Sequence, residues 1–573
     1  MAEERSEKPQ LGDKLVENKI ITPEQLEIGL KEQGKSAGAL GETLVKLGFT
    51  TESDILPIVA KQIGIQYIRI KEIKIPADVI SKIPAKVAHH YKILPVKFLG
   101  NVLSVAMSDP MDIHTVDDIK LLLGCGIETI LAGPKDIEEG LKQYYGVGAE
   151  TVEKMIAEEG GINLEAPSEM SGEDIEKLAE DASIIKFVNQ IFLEGFRDRA
   201  TDIHIEPFEN ELRIRYRIDG VLYKVSVPDT IKRFHSAIVS RIKVMASLNI
   251  AEHRLPQDGR ILVKVGDKEI DLRVSILPSY YGETVNIRLL TVSSVLRGLP
   301  SLGLLDKDLA IIEGTIKKPH GILLVTGPTG SGKTTTLYAC LNKLNTMDRK
   351  IITIEDPIEY QLQGINQIQV APKINFTFAN GLRSMLRHDP DVMMVGEIRD
   401  TETADITIRS ALTGHFVFST LHTNDAASAI TRLIDMGVEP YLIASCVECI
   451  IAQRLVRLIC PDCKTPILPN KALLQEMGAT ESAVAGKIFY EGKGCEKCKN
   501  TGYRGRTAIY EILVITDTIR DLVMQRVPAN IIKKKAQEQG MRTLRLDGWQ
   551  KILSGATTIP EVLKVTQEET IVE

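Results

Sequence analysis

Residues 327–338 read GPTGSGKTTTLY, after the apolar run GILLV at 321–325, and the chain continues as helix-compatible KTTTLYACLNKL from 333 to 344. A buried strand that turns through glycines into a helix lets several backbone N–H groups converge on a phosphate, and the helix N-terminus adds its positive end. Such a strand needs partners on both sides. KIITIED (350–356), DVMMVGE (391–397) and HFVFSTL (415–421) supply them. The pattern predicts an α/β domain built on a parallel sheet.

The loop Gly327, Pro328, Thr329, Gly330, Ser331, Gly332, Lys333, Thr334 and Thr335 is expected to hold ATP. Lys333 would bridge the β- and γ-phosphates, and the Thr334 hydroxyl would ligate Mg²⁺. Hydrolysis also requires a carboxylate near the terminal phosphate and a cation for the developing charge. Glu397 ends one apolar strand, with Gly396 where an Asp is usual, and is expected to act on the attacking or Mg²⁺-bound water. Glu355, in Glu355-Asp356, ends another. Both strands are expected beside the P-loop strand, with their acids at the carboxyl edge where ligands bind. His415 and His422 bracket the following strand and are candidates for sensing the terminal phosphate or stabilising the site.

With 573 residues, three to five domains of roughly 100–200 residues are expected. The net charge of −7 and a single Trp argue against nucleic acid as a partner. No apolar run reaches the ~18–20 residues a spanning helix needs, and MAEERSEKPQ has no signal-peptide core. A cytoplasmic chain that meets a membrane only through partners is expected.

Near the N-terminus a segment repeats. LGDKLVENKIITPEQLEIGLKEQ from Leu11 and LGETLVKLGFTTESDILPIVAKQ from Leu40 align at a constant offset of 29 positions. Each unit reads as two helices, the second opened by Thr22 or Thr51 as cap. The acidic segment 148–178 reads as a linker. The organisation read from these patterns is 1–147 (N-terminal domain with the repeat), 179–295 (small α+β domain, antiparallel strands turning at Asp219-Gly220), 296–455 (ATPase domain), 456–508 (cysteine element) and 509–573 (helices). Cys460-x-x-Cys463 and Cys495-x-x-Cys498, separated by 31 residues, offer four thiolates for tetrahedral Zn²⁺. Cys446 and Cys449 lie in an apolar run read as helical packing.

Taken in order, the P-loop, ITIEDPIE, LRHDPDVMMVGEIRD and TGHFVFSTLHTND resemble the Walker A motif, Asp box, Walker B motif and His box of the secretion ATPases of the type II secretion and type IV pilus superfamily. TDIHIEP, RYRIDG and RLPQDGR extend the likeness upstream, and Gly396-Glu397 is that family's form. The resemblance implies a RecA-like P-loop domain after a small PAS-like α+β domain, a homohexameric ring, and an inner-membrane platform protein as partner. It also implies that Arg273 in DLRVSILP and Arg288 in NIRLL close on the phosphates, with Arg383 and Arg387 nearby; Arg213, Arg215 and Arg217 read as interface or surface. The zinc element resembles that of pilus-extension and type II secretion ATPases, which points to a type IV pilus assembly motor, with a type II secretion motor as the alternative and a DNA-translocating motor as a distant one. The repeat resembles a cyclic di-GMP-binding domain. It departs at Gln10, where an Arg is usual, and at Lys19, which stands where the second copy has Gly48.

Overall fold

The computed structural model describes residues 11–33, 40–158, 181–265, 268–291 and 298–567. Gln10 and most of the expected linker lie outside them. The described residues form two compact units, divided in sequence between Leu289 and Leu290.

The first unit opens on the repeat. Helices Leu11–Glu17, Pro23–Gln33, Leu40–Lys46 and Glu52–Ile63 pack around Leu15, Ile21, Leu44, Ile55 and Ile58. Reciprocal caps open the second helix of each copy. Gln25 N–H donates to Thr22 Oγ1 and Thr22 N–H to Gln25 Oε1, while at the second copy both the Thr51 N–H and its hydroxyl donate to Asp54 Oδ2. The first helix of each copy ends on matched bonds, Ile20 N–H to Leu15 O and Phe49 N–H to Leu44 O. The residue before each donor is left-handed, Lys19 at φ 57° and Gly48 at φ 74°. The two copies therefore share one turn, and only the second has the residue that adopts it without steric cost.

After the repeat, β1 (Leu94–Leu99) and β2 (Val102–Met107) pair antiparallel, and β3 (Gly126–Leu131) joins β2 in parallel. The acidic segment begins differently from the linker expected at 148. Residues Ala149–Glu158 are a helix whose Val152 and Met155 are buried, and Glu153 accepts N–H bonds from Ala85 (2.8 Å) and Lys86 (2.9 Å), capping another helix. The helix Ala182–Arg197 covers a six-stranded antiparallel sheet of β4 (Ala200–Pro207), β5 (Leu212–Ile218), β6 (Val221–Val225), β7 (Gln257–Val265), β8 (Lys268–Ser279) and β9 (Gly282–Thr291), in the order β6-β5-β4-β9-β8-β7. Asp219 and Gly220, at φ 49° and 89°, make the tight β5–β6 turn.

The second unit holds a seven-stranded sheet. Its strands are β10 (Gly321–Thr326), β11 (Ile351–Glu355), β12 (Asn366–Gln369), β13 (Val392–Val395), β14 (Phe416–Leu421) and β15 (Val447–Ile459), with a last strand after a small hairpin of β16 (Lys464–Ile467) and β17 (Phe489–Gly492). That last strand, β18 (Tyr503–Val514), is antiparallel to β15; the others are parallel, in the order β12-β11-β13-β14-β10-β15-β18. Along β10 the side chains alternate between two cores, with Ile322 and Leu324 in one and Leu323 and Val325 in the other.

Three expectations are corrected here. The strands carrying Glu355 and Glu397 do not flank the P-loop strand, because β14 lies between β10 and β13 and β15 takes the other side. Cys446 ends a helix, Pro440–Cys446, but Cys449 is in β15; both are buried, as packing residues should be. Finally, neither 456–508 nor 509–573 is a separate body. The cysteine element is inserted between two strands of the main sheet, residues 509–514 are strand, and Ile519, Ile532, Leu544 and Trp549 of the following helices pack into the core formed by Ile450, Ala452 and Val456.

Lys19→Gly is expected to stabilise the first repeat unit by about 1 kcal/mol, because it removes a left-handed non-glycine residue. Native-state hydrogen exchange should then give about fivefold greater protection of the Ile20 amide; unchanged protection would contradict the reading.

Candidate active site

Residues 327–332 run from the end of β10 to the helix Lys333–Leu344. Gly327, Gly330 and Gly332 have φ of 150°, 79° and 91°. Two of these glycines are also sterically required. A Cβ on Gly327 would lie 2.6 Å from Gln453 O, and one on Gly332 would lie 2.7 Å from Gln453 Nε2. No side chain caps the helix, so its first N–H groups face the loop. Lys333 Nζ donates to Gly327 O at 2.8 Å and Pro328 O at 3.2 Å. Burial pushes the Lys333 ammonium below its ordinary value, with Glu397 opposing and Arg454 adding to the shift. Ser331 Oγ is buried without a hydrogen-bond partner. Glycine backbone, an open helix end, a lysine and an unspent hydroxyl form the donor set that a polyphosphate satisfies.

Sheet register sets what else reaches this edge. Leu324, Ser419 and Val395 are level across β10, β14 and β13, and Ile354 of β11 is level with Val395. Glu397, two residues past Val395, therefore emerges level with Thr326. Glu397 Oε2 lies 3.3 Å from His422 Nε2, and Oε1 is held by Arg399. The hydrogen bond to Glu397 raises the Arg399 pKa. Gly396 has a spatial reason for lacking the usual Asp side chain: a Cβ there would lie 3.3 Å from both Glu355 Cα and Ile354 O. The loop after β14 is tied to the P-loop strand, Thr423 N–H donating to Thr326 Oγ1 at 2.8 Å.

Glu355 differs from Glu397. It is 2 % exposed, and its oxygens accept from Tyr338 Oη, Thr353 Oγ1 (2.6 Å) and Gln367 Nε2 (3.1 Å). Burial pushes its carboxyl upward, and these donors oppose the shift. His415 must be moved away from the site. It precedes β14, at the amino edge, where its Nδ1 lies 2.9 Å from Ser410 O. The strand between His415 and His422 spans about 20 Å, so only His422 reaches the acid.

Among the arginines, Arg383 pairs with Glu402 at 2.5 Å and Arg387 donates to Arg383 O at 3.0 Å. Arg288 is 49 % exposed and pairs with Asp202 at 3.1 Å; Arg273 lies opposite Arg260 in the β7–β8 ladder. Arg213, Arg215 and Arg217, all half-buried, pair with Glu211, Glu206 and Asp202.

Two residues escaped the sequence reading. Gln453 is buried and bridges the phosphate loop to its helix, donating to Ser331 O (2.9 Å) and accepting from Thr336 Oγ1 (2.7 Å). Arg454 beside it donates to Gln453 O (3.0 Å) and Asn424 O (2.8 Å). The signal was present, since a Gln-Arg pair inside the apolar IIAQRLV is a buried polar pair that needs partners.

The four cysteines converge. Cys460, Cys463, Cys495 and Cys498 place all their sulfurs within 4.8 Å of one another, and the contacts Cys460–Cys495, Cys463–Cys498 and Cys495–Cys498 are 3.7, 3.8 and 3.6 Å. A tetrahedron with Zn–S near 2.3 Å has edges of about 3.8 Å. The residues fit zinc.

A family model described as Type II/IV secretion system protein matches residues 177–564, and one described as MshEN domain matches residues 63–151. The chain is 43 % identical over 557 residues to the type IV pilus assembly ATPase PilB of Myxococcus xanthus, covering 96 % of this chain and 98 % of that protein. It is 40 % identical over 570 residues to the type II secretion system protein E of Xanthomonas campestris, covering 99 % and 100 %. Among solved structures, the ATPase DotB of Yersinia pseudotuberculosis aligns with a TM-score of 0.50 at 21 % identity, over 67 % of this chain and 94 % of that one, a likeness of fold alone. No helix among the described residues is long and apolar enough to cross a membrane. With the phosphate loop, Glu397 and His422 on one sheet edge and the family model spanning most of the sequence, the chain belongs to the type II/IV secretion system protein family.

Proposed function

We propose that this chain is an ATPase that works as a cytoplasmic homohexamer and drives type IV pilus assembly through an inner-membrane platform protein. The observation that carries the reading is near-complete alignment with a pilus assembly ATPase at 43 % identity, with Lys333, Thr334 and Glu397 all present. Type II secretion is the second reading, favoured by the 40 % identity that spans 99 % of the chain.

In this proposal the 327–335 loop binds the triphosphate, and Thr334 would hold Mg²⁺, which neutralises charge between the β- and γ-phosphates when bound. Glu397 orients water and takes its proton, and His422 keeps that carboxylate in place. Arg273 and Arg288 supply cationic charge to the phosphates. Glu355, closed into its own network, supports the sheet edge from within. The tetracysteine cluster of Cys460, Cys463, Cys495 and Cys498 would hold Zn²⁺ as a structural ion. The repeat, with the domain after it, would bind cyclic di-GMP.

Deleting the gene in its own organism should abolish surface pili while pilin persists in the membrane. Retained pili with lost enzyme export would select type II secretion instead. Glu397→Gln is expected to lower phosphate release by about 100-fold or more with ATP binding preserved, measured by steady-state turnover and nucleotide titration; parental turnover would remove Glu397 from its role. Plasma emission should find one zinc per chain, and Cys495→Ser should lose the metal and lower the melting temperature. Isothermal titration should detect cyclic di-GMP binding that Leu15→Asp and Leu44→Asp abolish; no heat from the parent chain would remove that ligand.

A further inference from the structure

Arg454 is 9 % exposed, yet no carboxylate pairs with it among the described residues. Its guanidinium donates to Gln453 O at 3.0 Å and Asn424 O at 2.8 Å, and lies 3.4 Å from Asn424 Oδ1. Two acids, Glu511 and Asp425, bear on it from a distance and oppose the effect of its burial, but their hydrogen bonds go to other groups. Asp425 accepts from Ser428 N–H at 2.7 Å, and Glu511 accepts from Ala426 N–H at 2.9 Å and pairs with Lys533 at 3.6 Å. Among the described residues Arg454 forms no ion pair. A buried cation that no carboxylate contacts is costly to keep. Burial accordingly pushes its pKa down.

Its position identifies the missing anion. A Cβ on Gly327, the first residue of the phosphate loop, would lie 3.0 Å from Arg454 Nη1. Arg454 also lines a cavity of about 410 Å³ with Pro328 of that loop, three further cations, Lys533, Arg545 and Lys564, and two acids, Asp425 and Glu511. Through Gln453 O it holds the strand behind the loop, and through Asn424 O it holds the segment that follows His422. We infer that Arg454 is a positioning residue of the phosphate cradle whose counter-charge is the polyphosphate of the bound nucleotide. The ligand-free protein bears the cost of the unanswered charge, and nucleotide binding relieves it. Part of the affinity therefore arises from relief of that cost rather than from a direct contact.

The inference rests on the nucleotide-binding reading of the loop. Its test is fluorescence titration of the full chain with ADP and with a non-hydrolysable ATP analogue, alongside thermal unfolding with and without each nucleotide. Arg454→Met keeps the volume and removes the charge. Its ligand-free melting temperature should equal or exceed the parent's, while affinity falls about tenfold or more and the nucleotide-induced rise in melting temperature shrinks. Arg454→Lys should recover most of the affinity. Loss for the ATP analogue alone would still support the inference and confine the answering charge to the terminal phosphate. A Met variant that melts lower, or fails to fold, would make Arg454 a structural cross-tie and overturn the inference, as would a stable Met variant with parental affinity. A parent chain that binds neither nucleotide would overturn the reading of the loop itself, and this inference with it.

Discussion

In-register pairing of parallel strands is the constraint on which the rest of this molecule depends. Hydrogen bonding makes Leu324, Ser419 and Val395 level, so whatever follows them in sequence must emerge at one edge. That edge receives the phosphate loop, His422 and Glu397 from three separate stretches of chain. A slip of one residue in β10 would exchange Ile322 and Leu324 with Leu323 and Val325 between the two cores, so the packing of both faces enforces the register that assembles the site. The site is a by-product of buried apolar alternation, with Glu397, His422 and the phosphate loop placed just beyond the point where that alternation stops.

β15 joins this edge to the rest of the unit. Its first half pairs in parallel with β10, and it also forms a long antiparallel ladder with β18. In the middle, Gln453 and Arg454 reach the phosphate loop; three residues further on, Arg457 pairs with buried Glu561 at 2.6 Å, and three beyond that Cys460 enters the thiolate cluster. A zinc ion at the end of this hairpin would fix the far end of the strand whose middle braces the phosphates. The metal element and the phosphate site are thus about 20 Å apart along one strand. Placing a metal clamp on the sheet-edge hairpin also closes the end of β18, an edge that would otherwise fray.

What could be read from the residues was what backbone geometry or ligand count dictates locally. The phosphate loop demands glycines at positive φ, the Asp219-Gly220 turn does likewise, and four thiolates in two pairs suit one metal. The repeat was legible because both copies must make the same turn, although Lys19 shows that one of them tolerates the strain. What stayed hidden was decided by tertiary context. YLIASCVECIIAQRL is apolar throughout, so no period separates helix from strand, and β15 was missed with its Gln453 and Arg454. Composition marked 148–178 as linker because acids dominate it, but Glu153 is spent capping a neighbouring helix while Val152 and Met155 are buried. Strand order placed β14 between the P-loop and Walker B strands, and strand direction, which proximity in sequence does not convey, sent His415 to the wrong edge.

Gly396 explains why the acid of this site takes the form it does. An Asp there would push a side chain to 3.3 Å from Glu355 Cα and Ile354 O, in the crowded gap where β13 passes β11. A side chain at 396 would require that backbone to give by a few tenths of an ångström, and the carboxylate stands one residue later, at 397, past the end of the strand and on a longer side chain. A longer side chain has more rotamers, and an acid that must meet water at one place has to be restrained. Arg399 and His422 supply the restraint, both from loops at the same edge. Glu355 is the contrast, since three donors close both its oxygens inside the domain. Two carboxylates end two adjacent strands of one sheet; three buried donors close one into the domain, while the other is held only by side chains at the edge.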